Sequence, residues 1–274
     1  MTATVLDPAP TPSATPGKAA MKLVTDTGIV FVREMRPVIR DPFSLIFSLG
    51  QPLVFLALFG PLLTGVPGME QAAGGSVWQW FVPGILIMIG LFGTSMSGAN
   101  LLWEMQTGAH ERLLVTPLNR AALLVGRALK EIAPLVVQAA IIVVCVMPFG
   151  FRLYPLGALA GMLLLAVFGV GIGALSYALA IAAKNREWLF YGVQQTLLFP
   201  LLILSGMMLP LESGPGWLRA LSNFNPLTYI VDAERALFAG DFSQPSVWQG
   251  ALAAAVLAAV GLAVGIRSMR GSSG

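Results

Sequence analysis

The chain has 274 residues, of which 56% are hydrophobic and only 11% are Asp, Glu, Lys or Arg. A soluble domain carries about 25% charged residues, and apolar surface left in water costs about 25 cal/mol per Å². With a mean hydropathy of +0.79 and a formal charge of +3, the composition argues against a soluble enzyme, a nucleic-acid-binding domain and a disordered protein, and for a chain solvated mostly by lipid. The single cysteine, Cys145, leaves no intramolecular disulfide and no cysteine-rich metal site.

Residues 1–20 hold Pro8, Pro10, Pro12 and Pro16 among Ala, Thr and Ser. Such a segment has little to bury and is expected to be a disordered tail. It lacks the basic start and apolar stretch of a secretory signal. Gly17-Lys18 is the nearest approach to a phosphate loop, but Pro12 replaces its first Gly and Ala19 the Ser or Thr that would hold magnesium. No nucleotide site is expected in this chain.

Residues 21–41 read as an amphipathic interfacial helix. Met21, Val24, Phe31, Met35 and Ile39 share one face, and Lys22, Asp26, Arg33, Arg36 and Arg40 fall mostly on another, the pattern of a helix lying at headgroup level. A solvated helix continuing into the first span is the plainer alternative. Pro37 and Pro42 bend or end it.

A bilayer core takes about 20 apolar residues per helix. Six stretches free of Asp, Glu, Lys and Arg approach or exceed that length, at about 42–63, 80–103, 132–151, 156–183, 188–211 and 245–266. They define an all-α, six-span transmembrane domain over 42–267, followed by a short tail at 268–274. Gly157/Gly161, Gly169/Gly173 and Gly261/Gly265 have the spacing that lets helix backbones approach closely. With the N-terminus inside, 13 of the 16 Lys and Arg residues fall on the cytoplasmic side, and only Arg152, Arg219 and Arg235 fall outside. That bias predicts a multi-pass protein with both termini cytoplasmic.

The absence of charge from the spans disfavours an ion-coupled secondary transporter, which normally needs an intramembrane acid. His110, the one histidine, lies in a loop, so no Ser–His pair forms in the membrane, and no His-Glu-x-x-His zinc motif exists. No catalytic or metal site is expected. Gln194, Gln195 and Phe199 form the densest polar–aromatic group inside a span. They are candidates for a substrate path, with interhelical hydrogen bonding the plainer reading. Asp241 reads as an exposed loop acid.

Two segments outside the spans stand out. Residues 104–131 are long for a connection, carry both charge signs and are interrupted at Pro117. They suit a helix projecting into the cytoplasm, although the part after Asn119 also reads as an extension of span three. Residues 205–240 alternate Gly and Pro breaks with Trp217, Leu218, Leu221, Phe224, Leu237 and Phe238. They suit short re-entrant external helices before the last span, with Arg235 pairing Asp232 or Glu234.

These two segments, in this order within six spans, resemble the permease subunits of type 2 ATP-binding-cassette exporters, of the daunorubicin-resistance kind. The carrying residues are G-A-H-E-R-L-L-V-T-P-L-N-R-A-A-L-L-V-G-R at 108–127, and Phe-Pro, Ser-Gly, Leu-Pro, Trp-Leu and Asn-Pro-Leu-Thr-Tyr within 199–240. The resemblance implies two permeases, identical or paralogous, with two separate ATPase subunits that hold the ATP and magnesium, in a bacterial plasma membrane. It implies that the helix after span two docks on an ATPase, which makes Glu104, His110, Glu111, Arg112, Leu113 and Leu114 the expected coupling residues. It also implies that the segment holding Asp232, Glu234 and Arg235 helps gate the exit. The cargo it implies is an amphiphilic drug or a lipid, with lipid-linked glycan as the alternative. A transporter or channel needing no ATPase is the rival outside the class.

Overall fold

The computed structural model describes residues 16–108, 120–184, 186–208, 210–211 and 214–271. Among them, six helical segments are long and apolar enough to cross a membrane: Ile46–Thr64, Val77–Gln106, Ala121–Phe149, Pro155–Ala182, Glu187–Leu204 and Pro245–Met269. They are preceded by α1 (Pro16–Arg40) and α2 (Pro42–Ser48). Span 1 ends in α3 (Gly50–Thr64), and α4 (Met69–Ala72) follows. Span 2 is α5 (Val77–Ser95) and α6 (Ser97–Gln106), and span 3 is α7 (Arg120–Lys130) and α8 (Ile132–Val146). Span 4 is α9 (Pro155–Ala182), span 5 is α10 (Glu187–Leu204), α11 (Gly216–Ser222) and α12 (Pro226–Phe238) come next, and span 6 lies in α13 (Pro245–Gly271).

Spans 2 and 4 form the centre of the bundle, with 72% and 61% of their apolar windows buried, against 22–28% for the other four. Phe81, Ile85, Leu86 and Leu91 of α5 meet Leu165 and Phe168 of α9 in one apolar core. Glycine sets the closest helix contact. A Cβ added at Gly171 of α9 would stand 2.9 Å from the Ala258 backbone nitrogen of α13, and one at Gly261 of α13 would strike the Gly171 carbonyl. Gly157 and Gly161, at the start of α9, instead receive Leu237, Glu234 and Phe238 of α12. The Gly169/Gly173 pair meets side chains, chiefly Leu135, and not another backbone.

Two boundaries differ from the sequence expectation. Span 5 stops at Leu204 and not near 211, because Gly206 takes a left-handed φ of +68° and turns the chain. Span 3 begins at Ala121 and not at 132. Lys130 and Glu131 interrupt its apolar run without breaking it, because their charges have partners inside the protein.

The helix expected at 21–41 begins at Pro16, inside the stretch read as a tail, while residues 1–15 lie outside the described ones. It has three faces rather than two. Met21, Val24, Val32 and Ile39 are exposed and apolar, and the basic residues lie beside them. A third face, centred on Val30 and Glu34, packs on α7, where Gly126 lets Val30 approach. At the opposite end of the bundle, α12 hangs from the end of span 5. Asn225 caps α12 by accepting from Leu227 N at 3.1 Å and donates from Nδ2 to Leu201 O at 2.7 Å.

Candidate functional site

Three polar constellations interrupt this apolar bundle. The first lies at the end where α1, the loop between spans 2 and 3, and the end of α13 gather. Arg127 of α7, only 2% exposed, is its centre. Its Nη2 donates to Glu104 Oε2 of α6, and its Nε lies 3.6 Å from Glu34 Oε1 of α1. Lys130 Nζ donates to Glu34 Oε2 at 3.3 Å and lies 3.8 Å from Glu131 Oε1, which also accepts from Tyr177 OH of α9 at 3.2 Å. A buried guanidinium is tolerable only when paired. Here the pairing fastens the end of span 2, the start of span 3, α1 and span 4 together. A cavity of about 660 Å³ opens beside it, lined by Glu34, Asp41, Glu131 and Lys130 together with apolar groups such as Val38, Ile89 and Leu135.

The second constellation sits where span 2 breaks between α5 and α6. The break frees the Ser95 carbonyl from its helical partner. Ser176 Oγ of α9 and Gln194 Nε2 of α10 both donate to it. Ser176 Oγ in turn accepts from Gly98 N at 3.0 Å and from Gln194 at 3.2 Å. Gln194 is thus engaged in fastening spans 2, 4 and 5. Its neighbour Gln195 is exposed, and so is Phe199, whose ring meets Phe92 edge-on at 5.9 Å. The expected substrate trio is therefore divided between the interior and the outward face of span 5.

The third lies at the far end. Arg235 of α12 donates from Nε to Trp80 O at 3.1 Å, from Nη2 to Gly206 O at 2.9 Å and from Nη1 to Asp232 Oδ1 at 3.3 Å. Its guanidinium carbon stands 3.9 Å from the centre of the Trp80 ring, a favourable cation–π distance. One side chain so latches α12 to the first turn of span 2 and to the turn that ends span 5. Trp80 and Arg235 stand in the wall of two cavities of about 680 and 530 Å³. Of the two expected partners, Asp232 takes Arg235 and Glu234 points elsewhere, into the packed face of α12.

Of the expected coupling residues, Glu104 is turned inward to Arg127, while His110, Glu111, Arg112, Leu113 and Leu114 lie outside the described residues. The sequence reading missed Glu34, Arg127, Lys130, Glu131 and Tyr177 as one cluster. Its signal was Glu34 and, two turns before it, the buried Asp26 on a basic helix, and a charged patch whose spacing fits span 3. Asp241 accepts from the Ser243 hydroxyl, Gln244 and the Ser243 backbone, which hold its carboxyl below the usual range. Among the described residues, no group of three or more His, Cys, Asp or Glu side chains is placed to hold a metal.

Comparison with known proteins agrees with this architecture. Residues 25–239 match the family described as ABC-2 type transporter. The daunorubicin resistance ABC transporter permease protein DrrB1 of Streptomyces coeruleorubidus is 29% identical over 201 residues, covering 73% of this chain and 70% of that one. The putative transport permease ycf38 of Cyanophora paradoxa is 32% identical over 201 residues, 73% of this chain and 69% of that one. The probable doxorubicin resistance ABC transporter permease protein DrrC of Mycobacterium tuberculosis H37Rv is 24% identical over 266 residues, 93% and 94% of the two chains. The family match takes in α12 with its Arg235 latch and five of the six spans, and the chain belongs to the ABC-2 type transporter family, as a transmembrane permease subunit of an ABC exporter.

Proposed function

We propose that this permease exports amphiphiles across a bacterial plasma membrane, driven by two ATPase subunits docked at the end that carries Arg127. The observation that carries the reading is the Arg127 cluster. It clamps Glu104, at the end of span 2, to α7, at the start of span 3. The loop between them, with Glu111, Arg112, Leu113 and Leu114, is thus held at both ends by buried charge pairs. A force applied to such a loop reaches spans 2, 3 and 4 and α1 together. The excess of Lys and Arg at this end supports its cytoplasmic placement, and both termini with it.

The cavity beside the cluster supports a cargo with an apolar body and a polar head, since charged groups line it together with aliphatic and aromatic ones. The drug resistance named for two relatives agrees with such a cargo. Span 5 supports a second permease. It leaves Gln195 and Thr196 exposed inside a membrane-spanning helix, where polar groups need protein or water beside them. At the far end, the Arg235 latch joins the elements that must part for cargo to leave.

The test separates docking from transmission. Glu111→Lys with Leu114→Asp should abolish copurification of the ATPase. Glu104→Gln should leave the ATPase bound but reduce cargo-stimulated hydrolysis about tenfold, the equivalent of one weakened charged hydrogen bond of about 1.5 kcal/mol. Full stimulation in Glu104→Gln would remove the cluster from the transmission path. Export by the permease without any ATPase would remove the exporter reading altogether. Cysteines at Gly68 and Thr107 in a Cys145→Ala background fix the orientation: an impermeant thiol reagent outside the cell should reach the first and not the second.

A further inference from the structure

The structure places one carboxyl group where no charge can be supported. Glu234 of α12 is 0% exposed, and neither of its oxygens has a hydrogen-bond partner among the described residues. It rests against the backbone of span 4 at Gly161, where an added Cβ would stand 2.5 Å from Glu234 Oε2 and 2.6 Å from the Phe238 ring. The missing side chain of Gly161 makes the space that the carboxyl fills.

Among the described residues, the surroundings hold no counter-ion. Span 4 contributes no charged residue, and its titratable Tyr177 lies at the other end of the bundle. The α5 helix has no charged residue, and α13 has none before Arg267. On α12 itself Asp232 and Arg235 bond to each other, and Arg235 faces Trp80 and Gly206. Tyr229 donates to Asn223 O at 2.9 Å. Arg152 and Tyr154, just before span 4, are exposed. Burial therefore acts unopposed and holds the Glu234 carboxyl well above its ordinary value of 4.5.

We propose that Glu234 is a proton-binding site, and that the neutral acid is what allows α12 to seal against Gly161 of span 4. When α12 lifts, the carboxyl meets water and gives its proton to the aqueous phase at that end, leaving a carboxylate and a hydronium ion. When α12 reseats, the carboxylate takes one proton back. The sign follows from the two protonation states. The sealed form is fully favoured below the ordinary value of 4.5. It loses ground as the pH rises through the raised value, by up to about tenfold in the opening constant per pH unit for one proton. Each opening at a pH between the ordinary value and the raised one thus releases a proton on the exit side. The link to export rests on the reading of α12 as the exit gate, whereas the proton site does not.

The experiment uses the full chain with its ATPase in lipid nanodiscs. Leu237→Cys in a Cys145→Ala background reports opening, because Leu237 is buried on α12. Its rate of reaction with a thiol reagent is divided at each pH by that of a cysteine replacing the exposed Glu70. Between pH 5 and 8 the ratio should climb at least tenfold in the parent and stay low and flat with Glu234→Gln. Glu234→Met, apolar and of similar length, should give the same flat line and stands in should the glutamine variant fail to assemble. A flat ratio in the parent, or an equal climb in the parent and both variants, overturns the proposal. A climb abolished by Glu234→Gln, with export itself unchanged, upholds the proton site and removes α12 from the gate.

Discussion

The two ends of this bundle handle buried charge in opposite ways. At the Arg127 end, acids and bases from four elements meet: Glu34, Glu104, Arg127, Lys130 and Glu131, with the Tyr177 hydroxyl closing the group. At the Arg235 end, the charges are kept apart. Arg235 is held by two carbonyls, an indole and Asp232, and Glu234 is sealed away from both charges. A mutually neutralising cluster is hard to part, because separating it exposes several uncompensated charges at once. A latch of backbone hydrogen bonds and one aromatic face parts more readily, because water replaces each contact. The first arrangement suits an end that transmits force, and the second an end that opens.

That contrast can be broken from either side. Arg127→Met leaves Glu104 without its cation and Glu34 with Lys130 alone, and should cost about 3–5 kcal/mol, read as a large drop in the thermal midpoint of the purified permease. Retention of full stability would mean that the two ends do not differ in kind. Gly157→Ala drives a methyl into the Leu237 carbonyl and should cost about 1–3 kcal/mol by overpacking. Its signature is faster proteolysis of the 205–244 segment, with the Arg127 end undisturbed. Arg235→Lys keeps the charge but loses the planar fork over Trp80, for about 1 kcal/mol or somewhat more. Export should fall severalfold while subunit assembly, followed by copurification, stays intact. The smallest effect is expected from Asn225→Ala, which removes the α12 cap for about 1 kcal/mol. Hydrogen exchange should rise at 226–230 and nowhere else.

The six spans were legible because lipid imposes one rule on every residue of a span, so a simple run of uncharged residues reveals it. Where a span carries charge, the rule fails. Arg127, Lys130 and Glu131 hid the first turns of span 3, since no local pattern announces that Glu34, about ninety residues earlier, neutralises them. The end of span 5 was overrun because 205–211 is as apolar as the helix before it, and only the left-handed Gly206 ends it. The far-end motif was legible as a unit, but which acid Arg235 takes was not. Asp232 and Glu234 are two residues apart on a helix and so face different sides, and only the position of span 4 decides which side is buried.

The glycine contact between α9 and α13 bears on how the chain is made. Span 4 enters the membrane with Gly171 facing outward toward a partner that has not yet been synthesised, because α13 follows it in the chain by more than sixty residues. Until then lipid tails occupy a groove too shallow for any side chain. The α12 helix shares this delay, since Gly250 of α13 closes against Ala233 and the Tyr229 carbonyl. A nascent permease halted before residue 245 therefore holds five spans yet lacks the piece that locks α12. Quality control that senses unpaired helix faces in the bilayer has its clearest target in that intermediate.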